Sequence, residues 1–272
     1  MPLNWDKVNA RLNQAAAVLN RDDPVQARGA LQTGIDLGTA DVVLMVLDSS
    51  GIPVAAFLEW ATVVRDGVVT DFIGAVDVVR RLAQRAERRL GRRLTAAATA
   101  FPPGTDARLS THILESAELE VAAVKDEPSC VATLLDLDRA AVVDIGGGTT
   151  GTAVARRGQV VFSGDEPTGG HHLTLRIAGH FGISYEAAEA RKRRSGARDG
   201  ILELCKPTLQ RIADIVATHI RGRKVERIVL TGGTCCLPGV DGVLAGELGL
   251  PVVLPSQPLL LTPLAIAALP RD

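Results

Sequence analysis

The sequence predicts an α/β protein built in two halves that face a common cleft. Two observations carry this. Each half contains an apolar strand that ends in a single aspartate, turns through glycine and threonine, and resumes as a second apolar strand: Gly34-Ile35-Asp36-Leu37-Gly38-Thr39-Ala40-Asp41 running into 42–48, and Val142 to Val154. Between and after these hairpins, short apolar runs alternate with helical repeats, the pattern of sheets flanked by helices. At 272 residues, 46% of them hydrophobic, the chain can form two ordinary domains or one large one.

The second hairpin shows the chemistry best. The run 140–145 is apolar except for Asp144, and Gly146, Gly147 and Gly148 follow at once. Glycines without a Cβ let the backbone fold tightly and aim successive N–H groups at an anion. Thr149, Thr150 and Thr152 add hydroxyls, and Asp144 is placed to hold a hydrated Mg²⁺. Taken alone, either run could be an ordinary glycine turn. Taken together, they would bracket a polyphosphate from both sides, with Asp36 and Asp144 facing one cation.

Composition narrows the class. Lys plus Arg (30) balance Asp plus Glu (31), leaving a net charge of -1, which argues against a nucleic-acid or membrane-surface protein. No apolar run approaches the roughly 20 residues that span a bilayer. Asp6 and the early asparagines stand where a secretory signal would be basic and then apolar, so a cytosolic protein is expected. Cys130, Cys205, Cys235 and Cys236 lack metal-ligand spacing, and an adjacent pair bridges only with strain, so reduced and mostly buried thiols are expected.

In chain order, Trp5, Val8, Leu12, Ala15 or Ala16, and Leu19 recur at helical spacing before the break at 20–24 and a polar linker, Gln26 to Thr33. Such a helix can dock on its own domain or on a partner's groove. Three strands span Gly34 to Glu59, and a turn at Arg65-Asp66-Gly67 leads to a helix with apolar Ile73, Val76, Val79, Leu82, Ala86 and Leu90. Its arginines, Arg80, Arg81, Arg85, Arg88 and Arg89, read as a solvated face because Asp77 and Glu87 interleave. A strand at 96–100, a helix at 106–117 and a strand at 120–124 follow, and Pro128 suits the first turn of the next helix. Glu127 there either offsets the helix dipole or points into the cleft at a carboxyl strand edge.

After the second hairpin come a strand at 160–163, a helix opening at Gly169-Gly170-His171-His172, and a helix from Tyr185 to Arg194. The neighbouring histidines face different ways, which disfavours shared metal ligation. The Arg191-Lys192-Arg193-Arg194 run is either solvated or in contact with a nucleotide. A long amphipathic helix from Ile201 to Ile220 precedes the buried strand 228–231, which runs into Gly232 and Gly233, where a flat ring could lie close to the backbone.

These motifs resemble those of the actin, sugar-kinase and DnaK-type ATPase superfamily. Asp36-Leu37-Gly38-Thr39 and Asp144-Ile145-Gly146-Gly147-Gly148-Thr149 look like its two phosphate motifs, and Thr231-Gly232-Gly233 like its adenosine motif. Asp126-Glu127-Pro128 and the run 262–267 look like its connecting helices. Within it the chain is most similar to the chaperone-like EutJ family of ethanolamine utilisation, on the runs 60–67, 101–106 and 168–172. The resemblance implies two actin-like (ribonuclease H-like) domains, each a five-stranded mixed sheet with flanking helices, closing on ATP and Mg²⁺. It divides the chain into an N-terminal helix and linker (1–32), a first domain (33–138), a second (139–255) and a C-terminal helix returning to the first (256–272).

By the same likeness Asp36 and Asp144 hold the hydrated metal, Glu127 orients the attacking water, and Glu189 with Lys192 contacts ribose and adenine. That favours the contact reading for Lys192 alone in its basic run. Ala40 stands where DnaK has a second threonine, Gly151 where it has an acid, and Cys236 where an arginine packs on adenine. Nucleotide binding is therefore better supported than fast hydrolysis. The family implies a chaperone that helps assemble or reactivate ethanolamine-pathway enzymes or microcompartment shell proteins. An actin-like scaffold for those proteins is the alternative. A small-molecule kinase is disfavoured because no further acid stands out as a base for a hydroxyl substrate.

Overall fold

The structure, a computed structural model, describes residues 5–65, 68–196 and 199–270. Its elements run α1 (Trp5–Val18), β1 (Gln32–Leu37), β2 (Asp41–Leu47), β3 (Pro53–Trp60), β4 (Val64–Arg65), β5 (Val68–Val69), α2 (Phe72–Leu90), β6 (Ala96–Phe101), α3 (Arg108–Ser116), β7 (Glu120–Asp126) and α4 (Glu127–Leu134). The second half continues with β8 (Ala140–Ile145), β9 (Thr150–Arg156), β10 (Gln159–Glu166), α5 (Gly170–Phe181), α6 (Tyr185–Arg193), α7 (Ile201–Ile220), β11 (Arg227–Thr231), α8 (Val240–Leu248), β12 (Val252–Val253) and α9 (Leu261–Ala267). The expected turn residues Asp66 and Gly67 lie outside the described residues.

The two halves repeat one topology. The first sheet has strand order β3-β2-β1-β6-β7 and the second β10-β9-β8-β11-β12. In each, three antiparallel strands join two parallel ones through a central strand, β1 or β8. Both sheets are five-stranded and mixed, with flanking helices, as the resemblance implied. β8 is buried at every residue, which explains its near-continuous apolar run. α2 takes its start from Asp71, whose carboxylate accepts from the Gly74 N–H, and its end from left-handed Gly91.

α4 and α9 pack on each other between the sheets, α9 against β1 and β2, and α4 against β8 and β9. At Gly34 a Cβ would collide with the Ala267 backbone N, so glycine is what lets α9 press onto β1. Both helices belong to a core that includes β8, β9 and β11 residues from the second sheet and Met45, Ala56 and Ala98 from the first.

α1 joins that core. Its apolar stripe Val8, Leu12, Ala15 and Val18 is buried, chiefly against β3, and Asn9 accepts from the Ser256 N–H near the start of α9. Of the two readings left open by the sequence, the structure gives docking on its own chain. The break after α1 is also fixed: Asn20 exchanges side-chain hydrogen bonds with both backbone groups of Leu58.

On the arginine face of α2, Arg80, Arg81 and Arg88 are exposed as expected, whereas Arg85 and Arg89 depart from expectation. Arg85 pairs with Asp22 at 2.8 Å and lies over the Phe57 ring. Arg89 is only 4% exposed and donates to the carbonyls of Val54, Arg21 and Asp23. Charge interleaving suggested solvent, but the backbone of the break after α1 and of β3 supplies acceptors for Arg89 instead. Arg89→Ala should leave those carbonyls short of donors and lower the unfolding free energy by about 2 kcal/mol, read as a lower urea midpoint at unchanged slope.

Cys130, Cys205 and Cys235 are buried free thiols, as expected, whereas Cys236 is exposed. No helix among the described residues is long and apolar enough to cross a membrane.

Candidate functional site

The repeated topology ends both central strands in one place. Asp36 on β1 and Asp144 on β8 line a single cleft of about 320 Å³ between the sheets. Gly38, Thr39, Gly146, Gly147, Gly148, Thr149, Glu127, Glu189, Lys192, Gly232 and Gly233 line it too. The two turns nearly touch, for a Cβ on Gly147 would come within 3.0 Å of the Ala40 Cβ.

The loop 146–148 is held by its carbonyls. Gly146 O accepts from the Gly170 N–H and the Thr234 hydroxyl, and Gly147 O accepts from the His171 N–H at the start of α5. The Gly146 N–H donates to Thr149 O, which leaves the N–H groups of Gly147 and Gly148 to meet an anion in the cleft. Asp144 is aimed by a threonine relay: the Thr262 hydroxyl on α9 donates to Asp144 Oδ2 at 2.6 Å and lies 2.9 Å from the Thr231 hydroxyl. Gly232 has φ 95°, and a Cβ added there would overlap Asp144 Oδ1. Glycine there makes room for the Asp144 carboxylate, and Gly232 and Gly233 both line the cleft.

Glu127 opens α4, but the cap is its neighbour. Asp126 accepts from the Ser129 N–H and from the Ser163 hydroxyl of β10. With capping done by Asp126, the Glu127 side chain is left to line the cleft. Burial, then Asp36 and Asp144, push Glu127 well above the usual carboxylate range. Burial and then the facing Asp144 do the same to Asp36. Asp144 is pushed up to about 6 by burial, against the Thr262 hydrogen bond.

This mutual repulsion describes a site that suits a cation. Among the described residues no three acid, histidine or cysteine side chains gather closely enough to hold a metal by themselves. A Mg²⁺ here would be anchored by Asp36 and Asp144 and would complete its shell with water and phosphate oxygens. The residues present fit that demand.

At the other end of the cleft, Lys192 Nζ pairs with Glu189 at 2.8 Å and donates to Gly170 O and the Thr174 hydroxyl. Burial pushes Glu189 up, but Lys192, Thr174 and Arg193 outweigh it and hold the carboxyl below its ordinary value. Burial lowers Lys192 in turn, against the pull of Glu189. In the same basic run Arg193 also lines the cleft, while Arg191 stacks on Phe181. The imidazole of His172 accepts from the Gly169 N–H and His171 lies against Tyr185, so this pair shapes the start of α5.

Several residues at the site were not singled out beforehand. Asp41 lines the cleft and is pushed up to about 6, by burial first, with Arg193 opposing and Asp144 reinforcing. Asp165 on β10 is pushed up to about 7 by burial, against a hydrogen bond from Thr149. It pairs across the ladder with Gly151, where a Cβ would come within 3.4 Å of Asp165 Oδ1. An acid from the next strand thus lies beside the position where Gly151 stands. Asp41 is a further acid in the cleft lining, with Asp165 behind it on β10. Asp41 carried a signal, being the first residue after the turn; Asp165 carried none, since only strand register brings it to Gly151.

A family model described as type IV pilus assembly protein PilM matches residues 129–261. The solved structure of an MreB5 from Spiroplasma citri, bound to AMPPNP, superposes with TM-score 0.73 at 17% identity over 88% of this chain and 95% of that one, a likeness of fold. The ethanolamine utilization protein EutJ of Escherichia coli (strain K12) is 51% identical over 260 residues, 95% of this chain and 93% of the relative. The crystal structure of EutJ from Carboxydothermus hydrogenoformans superposes with TM-score 0.91 at 41% identity, covering 97% of this chain and 99% of that one. Sequence and backbone agree over nearly the full length of both relatives, and the chain belongs to the EutJ family of ethanolamine utilization proteins with an actin-like ATPase fold.

Proposed function

We propose that the cleft binds Mg-ATP and that its opening and closing serve a chaperone-like role toward ethanolamine-pathway enzymes or microcompartment shell proteins. The observation that carries this reading is the meeting of two acid-tipped glycine turns, from opposite halves of the chain, at one cleft. Bound Mg²⁺ would neutralise charge on the phosphates. Asp36 and Asp144 would position its waters, the N–H groups of Gly147 and Gly148 would donate to phosphate oxygens, and Glu127 would orient a water toward the terminal phosphate. Glu189 and Lys192 would take the ribose and base.

Two halves joined at packed connecting helices form the bistable element a chaperone needs, because a ligand that prefers the closed arrangement shifts its population. The first test is thermal: Mg-ATP at a hundredfold excess over its dissociation constant should add roughly 2.7 kcal/mol of stability. The second is calorimetry with an ethanolamine-pathway enzyme as client. Its affinity should differ between ATP, ADP and no nucleotide, and equal affinities in all three would end the chaperone reading.

A further inference from the structure

The two halves also touch at the mouth of the cleft. Trp60 ends β3 in the first half, and Arg193 ends α6 in the second. The Arg193 guanidinium lies 3.4 Å from the centre of the Trp60 ring. Its Nε donates to Glu189 Oε1 at 2.8 Å, which fixes the side chain on its own helix. Trp60 pairs across the β2–β3 ladder with Asp41, whose charge also attracts Arg193. All four side chains line the cleft, and Trp60 is 51% exposed, a large ring held at the surface by the cation above it.

We propose that Arg193 and Trp60 form a clasp across the cleft mouth that sets how fast nucleotide enters and leaves. This rests on the nucleotide reading of the cleft. Arg193 reaches the opposite half with a planar, delocalised cation suited to stacking, and the partner is an aromatic ring whose face attracts it. A contact of this strength at a half-exposed ring opens thermally, so it slows passage without blocking it. The clasp closes over an empty and a filled cleft alike, so it slows entry and exit by the same factor and leaves affinity nearly unchanged.

The test uses stopped-flow binding of N-methylanthraniloyl-ATP with Mg²⁺ to the full chain, its Trp60→Ala and Arg193→Ala variants, and the double variant. Association and dissociation rates should both rise about two- to fivefold, the factor a surface cation–π contact is worth. The double variant should gain no more than either single one. A second arm needs no nucleotide: in a Trp5→Phe background Trp60 is the chain's remaining tryptophan, and Arg193→Ala should increase its quenching by acrylamide. Weakened affinity through dissociation alone would make Arg193 a ligand contact and overturn the clasp, as would unchanged rates or unchanged quenching. A parent protein that binds no nucleotide, yet shows the quenching change, would remove the nucleotide reading and leave the clasp with nothing to gate.

Discussion

Replacing Asp144 with asparagine is expected to abolish stabilisation by Mg-ATP and, at the same time, to make the ligand-free protein more stable above neutral pH. The second half of that result follows from the sign of the shift. Asp144 is pushed up to about 6 from an ordinary value of 3.8, because burial penalises its charge. Below pH 4 folded and unfolded chains both hold the proton and the group contributes nothing. Between pH 4 and 6 the folded chain keeps a proton the unfolded chain has lost, so stability falls as pH rises. Above pH 6 the cost is complete, at most about 3 kcal/mol at 1.36 kcal/mol per unit. The asparagine amide cannot ionise, yet keeps an oxygen for the Thr262 hydroxyl. Asp41 and Asp165 are raised by burial in the same sense, so the parent's melting temperature should fall from pH 5 to pH 8. Thermal melts over that range, with and without Mg-ATP, separate the two effects. An asparagine variant no more stable than its parent at pH 8 would mean that the carboxylate is already compensated without a ligand.

The parts of the site legible in the sequence were those whose chemistry is local. Asp36, Asp144 and their glycine turns announce themselves because strand, acid and turn are contiguous, and each residue type does its work within a few positions. Glu127 was ambiguous for the same reason: helix start and cleft edge coincide, and only the capping bonds to Asp126 from β10 and α4 separate the two roles. Residues that act across the fold left no mark. Thr262 reaches Asp144 from 118 positions away, and Asp165 finds Gly151 through the register of β9 and β10. The repeated sheet topology was visible as alternating runs, whereas the burial of Arg89 depended on where the carbonyls of the break after α1 would come to rest. Periodicity reports which face of an element is apolar; it does not report which backbone crosses that face.

Leu12→Ala, in the helix that looked most separable, is expected to be among the costliest single changes. Leu12 is fully buried in the core that α1 shares with α4, α9 and strands of both sheets. Truncating a fully buried leucine costs about 2–5 kcal/mol, more where the cavity cannot collapse. Two packed sheets and two connecting helices leave this site little freedom to do so. About 3 kcal/mol corresponds to a melting temperature lower by about 6–12 °C in a chain of this size. Deleting residues 1–28 would uncover the same surface and withdraw the side-chain acceptor that Asn9 offers to the Ser256 N–H. Such a chain should lose cooperative folding rather than only its docking to a partner, as isolation beyond a linker would have implied. Differential scanning calorimetry of Leu12→Ala decides the matter. A melting temperature within a degree of the parent would show that α1 leaves its groove at little cost and would return it to the role of a detachable docking helix.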